Sequence, residues 1–360
     1  MTVGTMTTDS MTADRLRVVV AAPLSAADAA RIVELEPRID LVYEPALLPP
    51  MRHAADFAGD PEFRRTTEQQ RAFDDLIDSA DVLYGIPDVD SAALARAVRA
   101  NPRLRWVQTM AAGGGAQVRA AGLSTAELDR VTFTTSAGVH GGPLAEFAVF
   151  GVLAGAKDLP RLTAQKSGHE WTGRWTMRQV SDLTVLVLGL GGIGTETARK
   201  LSALGARVIA FNRSGEGSIE GVSVQPMHLL REHLPQADAV VVTLPGTAAT
   251  EGLLDDGFFA ALTPGATIVN VGRGTVIDEP ALLRALESGQ VGFAALDVFA
   301  VEPLDTASGL WDHPNVVISP HTAALDPREE SRIAALFADN AGRFLDDRPM
   351  RNVVDTVEFY

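Results

Sequence analysis

Between Thr184 and His321 the chain repeats one rhythm, a short apolar run, a helix-period segment and another apolar run. Candidate strands cover 184–189, 207–212, 238–245, 266–272, 292–299 and 315–321, with helical patterns between the earlier ones. Neighbouring parallel strands need a long crossover, and a helix usually supplies it, so the alternation predicts an α/β fold with a doubly wound parallel sheet. The first crossover narrows the choice. "VLVLGLGGIGTETARKL" sets Gly189, Gly191 and Gly194 in G-x-G-x-x-G spacing where a strand turns into a helix. Glycines there let backbone approach a pyrophosphate and aim the helix N-terminus at it. With strand, turn, helix and second strand in register, Gly189, Gly191, Gly192, Ile193 and Gly194 together predict the phosphate side of a dinucleotide site in a Rossmann domain.

The end of the second strand bears on which dinucleotide. An NAD site usually places a carboxylate there for the ribose hydroxyls, whereas this chain reads Phe211-Asn212-Arg213-Ser214. A carboxylate about 4 Å from a 2′-phosphate would be repelled by roughly 4 kcal/mol per pair of unit charges at an effective dielectric of about 20. Asn212, Arg213 and Ser214 remove that repulsion, and Arg213 can clamp a phosphate by charge-assisted hydrogen bonds. NADP is therefore the favoured cofactor. NAD is the alternative, with Arg213 a solvated loop arginine lying against adenine.

The fourth run, "TIVNVGRGTVIDE", ends in Arg273 between Gly272 and Gly274. A buried strand does not end in a cation without an anion to meet it, because burying an unpaired charge is expensive. Strand ends on one side of a parallel sheet face one crevice, where ligands of such sheets bind. Glu302 follows the fifth strand in "LDVFAVEPL", and His321 ends the sixth in "VVISPHTAA". A cation, a carboxylate and an imidazole thus meet at one edge, a set suited to reducing a 2-oxo acid. Arg273 binds the substrate carboxylate and steadies charge growing on the carbonyl oxygen, and His321 protonates that oxygen, with the Glu302 carboxylate favouring the imidazolium form.

The N-terminal part carries the same alternation more loosely. Leu16–Ala22, Asp81–Pro87, Leu104–Met110 and Val131–Ser136 read as strands, Ser25 as a helix N-cap, and Asp90–Ala100 as a helix capped by Asp90. The polar stretch from about His53 to Gln70 reads as a helical or loop insertion. In "GGPLAEFAVFGVLAGAKDL", Pro143 sits in the first turn of a long helix so apolar that it needs cover on more than one face, at a domain junction or a dimer interface. A last helix spans about Arg328 to Asp346 and is expected to cross back to the first domain.

Composition removes several function classes. Lys and Arg number 31 against 46 Asp and Glu, a net charge of −15, which disfavours nucleic acid and anionic membrane as general partners. With no cysteine, disulfides, thiolate metal sites and cysteine nucleophiles are absent. No stretch has the length and hydrophobicity of a membrane span, and the opening "MTVGTMTTDSMTADR" reads as a polar tail lacking a signal peptide's apolar core. A cytoplasmic location is expected.

"GLGGIG", "VNVGRGTVIDEPAL", "ALDVFAVEPL" and "WDHPNVVISPHTAA", in that order and spacing, resemble the D-isomer-specific 2-hydroxyacid dehydrogenase family over about residues 140–325. The resemblance implies that Arg273, Glu302 and His321 are the catalytic arginine, glutamate and histidine, and that Asp297 holds the nicotinamide carboxamide. It implies further cofactor contacts at Leu244, Pro245, Thr250 and Val271, and substrate-carboxylate binding by backbone amides of "MAAGGG", at Ala112, Gly113 and Gly114. A bare flexible turn is the other reading of that loop, which lacks the aspartate common in the family and runs Gly-Gly-Gly-Ala. The architecture implied is a Rossmann cofactor domain, 140–321, inserted into a flavodoxin-like substrate domain, 1–139 and 322–360, in a homodimer formed through the helix near Pro143. "GVHGGPLAEF" and Asn212-Arg213-Ser214 look most like the glyoxylate and hydroxypyruvate reductase branch. The sequence departs from the formate dehydrogenase pattern, which has glutamine at the position of Glu302 and asparagine near that of His140.

For His140 two readings stand open, a substrate contact beside the hinge or a helix-capping or solvent-facing histidine. His228 and His233 are five apart, off the spacing that pairs metal ligands on one helix face, so no metal is expected, and His53, His169 and His313 read as surface residues. Trp171 and Trp175 read as anchors of a polar loop or as lining of a pocket or dimer surface. The leading functional expectation is an NAD(P)H-dependent 2-oxo acid reductase. The alternative is a dinucleotide-sensing protein, since some relatives of this fold act as transcriptional corepressors while keeping the triad.

Overall fold

A computed structural model describes residues 15–53 and 56–359. The polar opening stretch falls largely outside them. The described chain divides into two compact units, one within Met1–Val139 and Asp326–Tyr360, the other within His140–Leu325.

In the first unit, strands β1 (Leu16–Val20), β2 (Ile39–Val42), β3 (Val82–Tyr84), β4 (Trp106–Gln108) and β5 (Thr132–Thr134) form an all-parallel sheet of order 2-1-3-4-5, the flavodoxin-like winding. The crossovers include α1 (Ala26–Leu35), α2 (Thr67–Asp78), α3 (Ser91–Ala100), α4 (Gly115–Ala120) and α5 (Thr125–Arg130). Ser25 caps α1 by accepting the Asp28 amide, and Asp90 caps α3 by accepting that of Ala93. The C-terminal helix Glu329–Leu345 belongs to this unit and packs on α1. Its Phe337 stacks on Trp106 at 4.8 Å between ring centres and meets Tyr84 edge-on at 5.1 Å, closing a core that includes Ile32, Ile77 and Val107.

The second unit opens with α6 (Gly141–Ala156) and α7 (Leu159–Gly168). Then come β6 (Thr184–Leu188), α8 (Gly192–Ala203), β7 (Arg207–Asn212), β8 (Val222–Pro226), α9 (Leu230–His233) and β9 (Ala239–Val242). It ends with α10 (Asp256–Ala260), β10 (Ala266–Asn270), α11 (Glu279–Glu287), β11 (Val291–Leu296) and β12 (Val316–Ile318). The sheet is parallel throughout, with order β12-β11-β10-β9-β6-β7-β8 and its switch point between β6 and β9. It has seven strands where the apolar pattern indicated six. The strand passed over, β8, lies at an edge with no residue fully buried, so its sequence carries no apolar run. β2 went unread for the same reason, with only Ile39 buried.

The apolar helix α6 is covered on one side inside its own unit, by α8, β10 and β11, while Phe150 on it remains exposed. Two glycines allow the approach. A Cβ on Gly151 would lie 2.7 Å from Val269 Cγ2, and one on Gly155 would lie 2.1 Å from Thr267 Oγ1. Both contacts fall on β10, so the helix seats directly over the strand that ends in Asn270. Gly155→Val should lift this seat and destabilise the fold by roughly 1–3 kcal/mol, read as a lowered Tm. Gly173→Ala, whose new methyl meets nothing within 4 Å, should leave the melting curve nearly unchanged.

Candidate active site

The exit of β10 is built by Asn270, which is fully buried. Its Oδ1 accepts the Gly272 amide at 3.0 Å and its Nδ2 donates to the Arg273 carbonyl at 3.1 Å, curling the backbone so that Arg273 emerges exposed. Gly274 is tightly enclosed, since a Cβ there would lie 1.8 Å from the Phe299 carbonyl carbon. Only glycine lets the exits of β10 and β11 close on each other. That closure brings the Arg273 loop to the segment carrying Glu302.

Glu302 is held at both oxygens. Oε1 accepts the Phe299 amide at 3.0 Å, and Oε2 lies 2.7 Å from Nδ1 of His321. Burial alone would raise this carboxyl, but hydrogen bonds from His321 and the Phe299 amide, with the Arg273 charge nearby, hold it below its usual 4.5. An ionised carboxylate can only accept, so His321 Nδ1 carries the hydrogen and Nε2 is left as the nitrogen that exchanges a proton.

His321 has φ +53°, the left-handed region that an ordinary side chain avoids at a cost of about 1–3 kcal/mol. Asp297 over-determines that conformation. Its carbonyl accepts the His321 amide at 2.9 Å, while its Oδ1 accepts the Ser319 hydroxyl at 2.6 Å and the Thr322 and Ala323 amides at 3.0 Å each. Asp297 is fully buried, yet Oδ2 has no hydrogen-bond partner. A buried acceptor left unpaired in this way is suited to an amide N–H from a ligand, as the carboxamide of a nicotinamide would provide.

The glycine turn fits a dinucleotide at its other end. Gly189 has φ +100°, and a Cβ on Gly194 would lie 1.9 Å from the Gly189 carbonyl oxygen, so these two glycines set the turn itself. A Cβ on Gly191 would meet nothing within 4 Å, leaving room beside the exposed start of α8 at Gly192, with Ile193 half-buried after it. Thr243 ties β9 to this turn, its hydroxyl lying 3.0 Å from the carbonyls of both Leu188 and Gly189. Along the same edge Leu244 and Val271 are buried and Pro245 is exposed; Thr250 bonds the Pro245 carbonyl at 2.6 Å and shapes that loop.

The remaining residues singled out from the sequence divide more sharply. Arg213 and Ser214 are exposed at the end of β7. Ala112 and Gly113 are exposed in the first unit, while Gly114 is enclosed against Thr109, where a Cβ would lie 1.8 Å from Oγ1. His140 occupies the N-cap position of α6 but makes no side-chain cap, and it is only 9% exposed, which excludes the solvent-facing reading. Trp175 anchors its loop under Arg161, 4.1 Å from guanidinium carbon to ring centre, whereas Trp171 is wholly exposed and anchors nothing. His233 packs edge-on to Phe211. Among the described residues no three His, Cys, Asp or Glu side chains are grouped to hold a metal ion, and no helix is long and apolar enough to cross a membrane.

Asn270, Ser319 and Thr243 were not singled out from sequence. Each is a polar residue closing or following a strand of the parallel sheet, and that position was the available signal.

The sign of the Glu302 shift gives a test. A lowered folded value means the Glu302–His321 pair contributes stability fully above the unfolded value and loses it as pH falls through the folded one. The Tm difference between the native chain and Glu302→Gln should therefore hold steady above about pH 4.5 and shrink below it.

Comparison with known proteins follows the same lines. Residues 149–323 match the model of the D-isomer specific 2-hydroxyacid dehydrogenase NAD binding domain. A D-isomer specific 2-hydroxyacid dehydrogenase from Xanthobacter autotrophicus Py2, solved with NADPH and MES, aligns with a TM-score of 0.75 at 28% identity, covering 96% of this chain and 99% of that one. An NADPH-dependent glyoxylate/hydroxypyruvate reductase from Sinorhizobium meliloti, solved with NADP and sulfate, aligns with a TM-score of 0.73 at 25% identity, covering 96% and 100%. Among curated proteins, D-3-phosphoglycerate dehydrogenase of Mycobacterium tuberculosis H37Rv is 32% identical over 285 residues, 74% of this chain and 52% of that protein. The Homo sapiens enzyme of that name is 38% identical over 196 residues, 52% of this chain and 36% of that protein. The chain thus spans between about a third and half the length of these curated relatives. Matched by a family model through its second unit and by solved members along nearly its whole length, the chain belongs to the D-isomer-specific 2-hydroxyacid dehydrogenase family.

Proposed function

We propose that this protein moves a hydride between NAD(P)H and a small 2-oxo acid or D-2-hydroxy acid, with NADPH the favoured donor and glyoxylate or hydroxypyruvate the favoured substrates. The observation that carries the reading is the 2.7 Å hydrogen bond joining His321 to an ionised Glu302, beside Arg273 at the carboxyl edge of the sheet. When bound, the dinucleotide supplies or accepts the hydride at its nicotinamide, with Asp297 Oδ2 holding the carboxamide and Gly191 and Gly192 admitting the pyrophosphate. Arg273 grips the substrate carboxylate and stabilises negative charge developing on the neighbouring oxygen. Nε2 of His321 delivers the proton to that oxygen in reduction and removes it in oxidation. Glu302 fixes the tautomer that makes Nε2 the working atom, and Asp297 holds the backbone that presents it.

NADPH is supported by the absence of a carboxylate at Asn212-Arg213-Ser214, and by the solved relatives that carry NADPH or NADP. Glyoxylate and hydroxypyruvate are supported by the Sinorhizobium reductase, and 3-phosphoglycerate is the second reading, favoured by the curated relatives. Of the amides of Ala112, Gly113 and Gly114, that of Gly114 is already given to the Ala111 carbonyl at 3.2 Å, so those of Ala112 and Gly113 are assigned to the substrate carboxylate, with His140 as a further substrate contact. Absorbance loss of NADPH, and separately of NADH, over a panel of these acids tests the assignment. Turnover should run faster with NADPH, and His321→Ala should lower it by about 10²–10⁴-fold while cofactor affinity stays within a few-fold. Tight cofactor binding without turnover of any acid would favour a dinucleotide sensor.

The homodimer belongs to the same proposal. Phe150, Leu162, Trp171 and Met177 expose apolar surface on α6, on α7 and in the loop that follows. Sedimentation should give twice the chain mass, and Phe150→Glu with Trp171→Glu should return the monomer.

A further inference from the structure

Asn212 stands where a contact to the cofactor ribose would be expected, but both ends of its side chain are committed to its own loop. Oδ1 accepts the Gly215 amide at 2.6 Å, and Nδ2 donates to the Glu216 carbonyl at 2.6 Å. Ser214 Oγ accepts the Glu216 amide at 3.2 Å, which leaves its hydroxyl hydrogen available to donate. Gly215 has φ +76°, and a Cβ there would lie 2.6 Å from Pro226 Cδ, so the loop is seated against the end of β8. The base of the loop is registered to the glycine turn, because the Gly189 amide donates to the Phe211 carbonyl at 2.8 Å. Arg213 is exposed within this built loop.

We propose that Asn212 is a positioning residue for cofactor choice, holding Arg213 and Ser214 in place for the 2′-phosphate of NADPH without binding the cofactor itself. The inference rests on the NADPH reading above. It explains why the amide is needed and absence of charge alone is not enough. Aspartate could accept the Gly215 amide but could not donate to the Glu216 carbonyl, and its charge would oppose both that carbonyl and the phosphate. Alanine would remove the repulsion and leave the loop to be ordered at the moment of binding, which weakens affinity. The asparagine therefore combines charge removal with preorganisation.

Binding titrations separate this role from a direct contact, using NADPH, NADH and 2′,5′-ADP with the purified full chain. Asn212→Ala should weaken NADPH and 2′,5′-ADP about tenfold while NADH changes by less than about twofold. Asn212→Asp, which keeps the acceptor for Gly215, should lose NADPH more severely and retain NADH. Because Asn212 acts through its loop, Asn212→Ala added to Arg213→Ala should cost clearly less than Asn212→Ala costs in the unsubstituted chain, since only Ser214 is then left to be misplaced. Additive losses in the double variant would make Asn212 a ligand and overturn the proposal, as would equal weakening of NADPH and NADH. Tighter binding of NADH than of NADPH by the unsubstituted chain would instead overturn the cofactor reading on which the proposal rests.

Discussion

The geometry of the second unit's site depends most on the buried carboxyl group of Asp297. Burial of such a group is tolerable only when hydrogen bonds replace the lost water, and three donors converge on one of its oxygens. All three come from the segment just past β12, so Asp297 ties the exit of one strand to that of its neighbour. The imidazole of His321 inherits its place from that tie, and Glu302 then locks the ring. The arrangement is sequential: sheet register sets Asp297, Asp297 sets the backbone at 319–323, and the backbone sets the ring.

A parallel neighbour is treated differently. Arg273 is placed by Asn270, whose side chain satisfies one amide and one carbonyl of the curl that follows β10. Gly274 then permits the β11 exit to close over that curl. A polar residue at the last buried position of a strand thus organises each loop, while the strands themselves remain apolar. The same division appears at the glycine turn, where Thr243 bonds two carbonyls and the glycines provide the space.

The sequence was most legible where burial is symmetric. β6, β7, β9, β10 and β11 lie inside the sheet, so each leaves a continuous apolar run that cannot be read as anything but a core element. Edge strands β2 and β8 have a wet side and leave no such mark. Arg273, Glu302 and His321 were legible because each lies in a loop after a strand at one edge of the parallel sheet, although all three are exposed and the cost of burying a charge is not what places them. The structure brings Glu302 and His321 into hydrogen-bond contact. The commitment of Asn212 to Glu216 was not legible, because a bond to a carbonyl four residues on depends on the curl of a loop that no periodicity encodes. Which of its two readings Trp171 follows was not legible for a related reason: an aromatic residue in a polar loop has no neighbours fixed by sequence spacing, and its full exposure removes only the loop-anchor reading.

The left-handed backbone at His321 also has a bearing on engineering. Glycine, which has no Cβ, occupies that conformation without the cost a histidine bears. Exchanging the imidazole for glycine relaxes the backbone even as it breaks the 2.7 Å bond to Glu302, so the net effect on heat resistance is the difference between the two. Backbone strain and side-chain bonding thus pull in opposite directions on a single residue.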